Sequence, residues 1–350
     1  MKVSLVVVCH RSSRVLPPCL ESFRREAATA GVEAEVVAVE HSEDAAELAK
    51  VEAIGVDRLL ERPNRGYAAG LNAGAAEAEG EVLLLANPDI CFCPGSLAVL
   101  LEAIGQGFDV VGPQFVWDAD GTVFLPPAEN PSPMSELGRS LRRRWRWAWL
   151  AGLQQYLEET WQTWTVDTTV QVDSLRGALL VIPKEMMGRL GPFDEGYFLY
   201  YEETDWLWRA RRHGARLGLA AGAQVQHRWG HATNKLTNII DHEERSRDRF
   251  FDRNYGGPWR TILRAFAREN QQPPYDATCI TDLNEIPERE ADIWLVSPSS
   301  HFIPALGCLR SEGFPPPLVE FCRDRQWPVL AANRVAGKWR CAEAWTWGTT

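Results

Sequence analysis

Short apolar runs alternate with amphipathic stretches through the first part of the chain. Val3 to Val8 and Ala34 to Val39 are β-branched runs, and the segment between them, Val15 to Thr29, carries Leu16, Leu20 and Phe23 at helical spacing. This is the pattern of a βαβ unit. It continues as a helix over Asp44 to Ala53, a short strand over Asp57 to Leu60, a helix over Gly70 to Ala78 and a buried strand, "EVLLLAN", over Glu81 to Asn87. Strands alternating with helices predict an α/β fold, a Rossmann-like and mostly parallel sheet flanked by helices. In such sheets ligands gather at the carboxyl ends of the strands. The functional loops are therefore expected after Val8, Val39 and Ala86.

From Pro126 to Trp164 the periodicity is broken by prolines and then by "RSLRRRWRWAWLAG", Arg139 to Gly152. Arginine mixed with tryptophan suits either a membrane-surface segment, with the rings at headgroup depth, or a solvated basic helix that packs its tryptophans inward. Strands resume at Val166 to Val172 and Ala178 to Ile182, and helices are expected over Glu243 to Phe251 and Arg260 to Arg268. "NQQPP", Asn270 to Pro274, has the composition of a linker. The expected organisation is a main domain over 1–270 and a small C-terminal α/β appendage over 271–350. The appendage has a strand in "ADIWLVSPSS", a loop entering a helix in "RSEGFPPPLVEFC", and no site motif.

Composition narrows the class. Of 350 residues, 45% are apolar, enough for a large core, and the net charge of −10 excludes general nucleic-acid binding, which needs basic surface. The apolar start ends at Cys9 with His10 and Arg11 and lacks a small-residue cleavage site, so it suits a buried first strand better than a signal peptide. No apolar stretch approaches the roughly 18 to 20 residues that cross a bilayer. The expected location is the cytoplasm, with peripheral contact on the cytosolic membrane face through 139–150 as a hypothesis. The cysteines, scattered without paired C-x-x-C spacing, are expected to be reduced and mostly buried.

Several constellations could carry chemistry. "YYEETDW" places Glu202, Glu203 and Asp205 among aromatic residues. These acids either offset the dipole of a helix that ends in Arg211, Arg212 and His213, with Asp205 pairing with Arg209, or they do chemistry. "NPDI" sets Asn87 and Asp89 just after a buried strand, where a carboxylate either shapes a turn or holds Mg²⁺ or Mn²⁺. "PNRGYAAGLNAG" opens a helix with Asn64, Gly66, Gly70 and Asn72, and such glycines let backbone N–H groups approach an anion. His227 and His231 sit in "HRWGHAT", whose Trp229 and Gly230 argue against a helix; a histidine there either binds metal or oxygen or is an ordinary packed residue.

In order, "CHRSS", "VAVEHSED", "PNRGYAAGLNAG", "NPDI", "GALLVIPKEMMGRLGPFDEGYFLYYEETDWLWRA" and "HRWGHAT" resemble the inverting family 2 glycosyltransferases of GT-A fold, rhamnosyltransferase-like branch. The resemblance runs from about Val3 to about Arg264. It implies a nucleotide-sugar half over about 1–115 and an acceptor half over about 165–270. It further implies a donor site lined by Cys9, His10, Arg11, Glu40, Asn64, Gly66, Gly70, Asn72, Asn87 and Asp89. Glu40 and His41 stand where the family usually has Asp-Asn, and Cys-His-Arg stands for Thr-Tyr-Asn. Asp89, with His227 as a further ligand, would hold a divalent cation, Mg²⁺ or Mn²⁺. On the acceptor side the resemblance implies Arg176, Gly177, Tyr201 and Trp206 as binding residues and an acidic catalytic group of Glu202, Glu203 and Asp205. Glu203, where aspartate is more usual, would be the base. The implied reaction moves a sugar, from dTDP-rhamnose or a UDP-sugar, to a saccharide or lipid-linked glycan in polysaccharide biosynthesis of the cell envelope. The alternatives weighed beside it are a non-catalytic nucleotide-sugar-binding protein of the same fold and a sugar nucleotidyltransferase.

Overall fold

The computed structural model of the protein describes residues 1–227, 239–256, 259, 277–299, 301–322 and 326–347. The expected helix over 260–268, the linker over 270–274 and His231 lie outside the described residues. The chain divides into two compact units: one holds Met1–Phe115, Ala128–Asn130 and Asp167–Asn254, the other Val116–Pro127, Pro131–Val166 and Tyr255–Thr350.

The first unit opens with β1 (Lys2–Cys9), α1 (Leu16–Thr29), β2 (Glu33–Glu40), α2 (Ala45–Ile54), β3 (Arg58–Glu61), α3 (Tyr67–Glu77) and β4 (Val82–Ala86). Local chemistry sets these limits. Prolines pre-form the first turn of α1. The Asp44 carboxylate caps α2 by accepting from the N–H groups of Ala46 and Glu47, and Gly55 ends that helix in the left-handed conformation. The remaining elements of this unit are β5 (Ile90–Phe92), α4 (Ser96–Gly105), β6 (Val110–Val116), β7 (Val170–Gln171), β8 (Leu179–Pro183), α7 (Lys184–Leu190), α8 (Glu202–Arg212), β9 (Leu217–His227) and α9 (Ile239–Tyr255).

These strands form one sheet in the order β3-β2-β1-β4-β8-β6-β9-β5, with β7 paired to β9. The expected parallel ladder occupies β3-β2-β1-β4. Beyond it the sheet is mixed, with β8 antiparallel to β4 and β6, and β9 antiparallel to β5 and β7. Register decides what meets at the carboxyl edge. Cys9 pairs with Glu40 and Val7 with Ala86, so the loops after β1, β2 and β4 emerge together. Ala86 faces Leu179 across the antiparallel pair, which brings Arg176 and Gly177 to the same edge. Ile90 faces His227, which sets the end of β9 beside Asp89. Under the sheet, Val6, Val8, Leu83, Leu85, Leu180 and Ile182 pack with Leu71, Trp206 and Leu207 in one core.

The second unit departs from the expected 271–350 appendage, because it also recruits the broken segment before residue 167. That segment forms α5 (Pro133–Arg144) and α6 (Arg146–Trp164). A second sheet, of β10 (Thr278–Ile280), β11 (Ala291–Val296), β12 (Leu306–Ser311), β13 (Val329–Val335) and β14 (Lys338–Trp347), has the order β10-β14-β13-β11-β12, and α10 (Pro316–Cys322) accompanies it. Trp149, Leu153, Leu157 and Trp164 of α6 form one core with Ile293, Leu295, Phe302, Leu330 and Trp339. The stripe at 149, 153 and 157 has helical spacing, but dense arginine and tryptophan around it mask the period. Among the described residues no helix is long and apolar enough to cross a membrane.

Candidate active site

The site is built at the carboxyl edge of the first sheet. At the end of β2, Glu40 is buried; one carboxylate oxygen accepts from the Ser42 N–H at 2.6 Å, while Oε2 is buried without a hydrogen-bond partner. A buried acceptor left open is costly unless something donates to it. Around it, Arg11 has a left-handed backbone (φ 51°) and donates its N–H to the Ser42 hydroxyl at 2.6 Å, and the His10 ring lies 3.4 Å from the His41 carbonyl. Burial, and then the nearby His10, hold the His41 imidazole below its ordinary pKa.

Beyond β4, the Asn87 N–H donates to the Ala178 carbonyl at 2.9 Å, fixing the turn that carries Asp89. His227 Nε2 lies 3.5 Å from Asp89 Oδ1. Both Asp89 Oδ1 and His227 Nδ1 are buried without a hydrogen-bond partner. The Asp89 carboxylate and the His227 Nε2 that faces it are donors of the kind that bind a divalent cation. Among the described residues no third histidine, cysteine or carboxylate joins them.

The acid pair enters on α8. Its N-cap, Tyr201, and the residue before it, Tyr200, both have positive φ (67° and 66°), a conformation that costs a bulky residue about 1 to 3 kcal/mol. Two consecutive strained residues aim the start of α8 back at the sheet edge. The segment is held from the other side by α9: the Ser246 hydroxyl donates to the Leu199 carbonyl at 2.8 Å, Phe198 stacks on His242, and Arg249 binds Asp194 while lying over the Tyr197 ring.

Within the pair, Glu202 Oε2 and Glu203 Oε2 are buried and unpartnered. Burial raises both acids, Glu202 well above the ordinary carboxylate range with the Glu203 charge adding to it. The rise of Glu203 is opposed by its own N–H and that of Thr204, by a hydrogen bond from Glu202, and by the charge of Arg176. The two acids titrate as a pair, and the proton they share is held more tightly than by an ordinary carboxylate, Glu202 being the member raised further. Glu203 fits because Gly177 has no side chain: a Cβ there would lie 2.6 Å from Glu203 Cγ. Tyr67 closes the site. Its hydroxyl donates to Asn87 Oδ1 at 2.8 Å, and burial together with the charges of Glu202, Glu203 and Asp89 raises its pKa. Its N–H donates to the Phe198 carbonyl at 2.9 Å, and Gly66 (φ 101°) lets the two backbones meet.

Residues 4–168 match the profile of Glycosyl transferase family 2. The N-acetylglucosaminyl-diphospho-decaprenol L-rhamnosyltransferase of Mycobacterium tuberculosis is 28% identical over 218 residues, 57% of this chain and 68% of that one. Residues 4–168 of the chain, a little under half of it, are thus similar to glycosyl transferase family 2. The low-salt glycan biosynthesis hexosyltransferase Agl10 of Haloferax volcanii is 26% identical over 160 residues, 44% of this chain and 46% of that protein. Among solved structures, GalNAc-T7 with UDP, GalNAc and Mn²⁺ superposes with a TM-score of 0.49 at 16% identity, covering 79% of this chain and 52% of that chain.

Some of the residues expected in the site take other places. Cys9 is fully buried in β1, and its thiol, raised by burial, is out of a ligand's reach. Gly70 serves packing, since a Cβ there would lie 2.7 Å from Val8 and 2.8 Å from His41. Asn72 is committed elsewhere: its side-chain N–H group donates to the Phe193 carbonyl and to Glu195, and its oxygen accepts from the Phe193 N–H at 2.9 Å. Trp206 is fully buried, donates to the Gly191 carbonyl at 2.9 Å and stacks on Phe193. Asp205, also fully buried, is enclosed by Arg209 at 2.9 Å, the Tyr197 hydroxyl and Asn254, which makes it a structural ion-pair residue. Asn64 stays at the edge of the site, accepting from the Gly66 N–H at 3.2 Å, and Tyr201 stays as the N-cap whose ring meets Phe250. Tyr67 escaped the sequence reading. The signal was present as a phenol directly after Gly66 in an otherwise small and apolar helix start.

Proposed function

We propose that this chain, as a family 2 glycosyltransferase, moves a sugar from a nucleoside-diphosphate sugar, a deoxyhexosyl donor such as dTDP-rhamnose or a UDP-sugar, to a hydroxyl of a saccharide or lipid-linked glycan, with inversion. The observation that carries the reading is the Glu203 carboxylate, beside Arg176 and Gly177, sharing the surroundings of the Tyr67 hydroxyl with Asp89. A base and an anion-handling group at one sheet edge are what a direct displacement needs.

In that reaction the acceptor oxygen attacks the anomeric carbon, its proton passes to Glu203 Oε2, and the bond from that carbon to the diphosphate oxygen breaks. Arg176 and the first N–H groups of α8 oppose the effect of burial and favour the charged form of Glu203 that accepts the proton, and Glu202 donates a hydrogen bond that keeps it aimed. Glu40 is positioned to accept from the nucleoside, and His10 and Arg11 line its approach. Asp89 and His227 are the residues that would hold a divalent cation, which supplies electrostatic stabilisation of the departing diphosphate. Likeness to the rhamnosyltransferase supports a lipid-linked saccharide as acceptor.

The test is an incubation of the protein with a panel of nucleoside-diphosphate sugars, an undecaprenyl- or decaprenyl-linked N-acetylglucosamine acceptor and Mn²⁺ or Mg²⁺. Acceptor-dependent release of nucleoside diphosphate with a lengthened glycan is the expected result. Release of pyrophosphate from a nucleoside triphosphate and sugar phosphate would instead make it a nucleotidyltransferase, and nucleotide-sugar binding without product would make it a binding protein.

A further inference from the structure

The corner where α5 ends and α6 begins is chemically unlike the rest of this acidic chain. Five arginines fall between Arg139 and Arg146, and no carboxylate occurs from Leu137 to Leu157, in a protein whose net charge is −10. The arginines do different things. Arg139 pairs with Glu136 at 3.3 Å, and Arg142 lays its stem across Gly152. Arg144 and Arg146 are exposed on either side of Trp145, with the Arg144 guanidinium 5.4 Å from the Trp145 ring centroid.

The tryptophans divide in the same way. Trp149 and Trp164 face the core of their own unit, with Trp149 donating to the His301 carbonyl at 3.1 Å. Trp145 and Trp147 stack on one another with centroids 6.1 Å apart and remain outside, Trp147 being 66% exposed and Leu150 43% exposed. Trp147 and Leu150 are three residues apart on α6 and so share a face. The inward stripe of α6 is already filled, so these outer rings add nothing to the core. Nor does helix electrostatics account for the arginines. Cations suit the end of α5, but Arg146 opens α6, where the dipole disfavours a positive charge.

We infer that the Arg144-Trp145-Arg146-Trp147 corner, with Leu150, docks on an anionic phospholipid surface. Arginines neutralise headgroup phosphates while tryptophan rings settle at headgroup depth and an aliphatic side chain enters the acyl boundary. The aliphatic member of the face favours a bilayer over nucleic acid, and the acidic remainder of the chain confines the contact to this corner. The inference rests on these residues alone and is independent of the donor, the acceptor and the base.

The experiment is flotation of the full chain with vesicles of phosphatidylcholine alone or of phosphatidylcholine with phosphatidylglycerol, at low and high salt, with sedimentation velocity on the same preparations. Wild type is expected to float with the anionic vesicles, to release at high salt and to ignore the zwitterionic ones. The exposed double variant R144S/R146S should lose about fivefold in partitioning for each arginine removed. W147S/L150S should weaken binding to the anionic vesicles at low salt, and neither variant should change the melting temperature. Failure of wild type to float with anionic vesicles, or flotation of R144S/R146S equal to wild type, overturns the inference. A stable dimer that W147S/L150S dissociates, without any vesicle binding, likewise overturns it by assigning the corner to self-association.

Discussion

Glu203 folds its side chain against Gly177, and the two are so close that a Cβ on residue 177 would sit 2.8 Å from the Glu203 carboxyl carbon and 3.0 Å from Oε1. Gly177 does not have a positive φ, so alanine is allowed by its backbone and is excluded by this contact alone. Gly177→Ala is therefore predicted to move the carboxylate with little effect on folding. Displacement of a reacting group by about 1 Å costs about 10²-fold. A drop of that size in kcat with an unchanged melting temperature is the expected outcome of a turnover assay paired with calorimetry; wild-type kcat would show that Glu203 need not be where it is.

Glu202 should control the pH dependence of the enzyme. A glutamate in the unfolded chain titrates near about 4.3, whereas burial and the Glu203 charge raise Glu202 in the fold. The native state thus holds this proton more tightly than the unfolded state, and the stability it confers is lost as pH rises from the unfolded pKa through the folded one. Glu202→Gln, which mimics the protonated form, is predicted to melt higher than wild type at pH 8, with the difference closing by pH 4. Because glutamine has no proton to lose, any limb of the kcat/KM profile that reports ionisation of Glu202 should vanish in this variant. A pH profile and a melting profile identical to wild type would contradict a shared proton.

Asp89 and His227 would supply two ligands, too few by themselves to fix a cation without a substrate phosphate. Mn²⁺ is accordingly predicted to bind the protein weakly by itself and to strengthen the binding of a nucleoside diphosphate. Titration calorimetry should show that enhancement in wild type and its disappearance in Asp89→Ala, with His227→Ala intermediate. Equal enhancement in wild type and Asp89→Ala would place the cation elsewhere.

Much of the first unit was legible because its strands are short, apolar and separated by turn formers. The runs at Val3–Val8 and Ala34–Val39 and the "EVLLLAN" segment lie within one residue or so of β1, β2 and β4. Legibility fails where side chains do two jobs. Gly70 and Asn72 have the residue types of a phosphate loop, yet they pack α3 on β1 and pin the 193–195 segment, because the loop that turns toward the sheet edge ends at Gly66. Trp206 and Asp205 carry the chemistry of an acceptor site and are sealed in the core, where Trp206 stacks on Phe193 and Asp205 is held by Arg209. The partnership of Asp89 with His227 depends on the β5–β9 register, which no local pattern encodes. The helices over 133–164 were hidden for a different reason. Their exposed rings and arginines interrupt the apolar period that the buried Trp149, Leu153 and Leu157 keep.

The central claim is that Glu203 takes the proton from the acceptor hydroxyl. Glu203→Gln keeps the size of the side chain and one hydrogen-bonding oxygen but cannot accept that proton, and general-base assistance is worth about 10²- to 10⁴-fold. The decisive measurement is kcat for sugar transfer by this variant, beside its affinity for the nucleoside diphosphate. A fall of that order with donor binding unchanged is predicted, and turnover close to wild type would contradict the assignment.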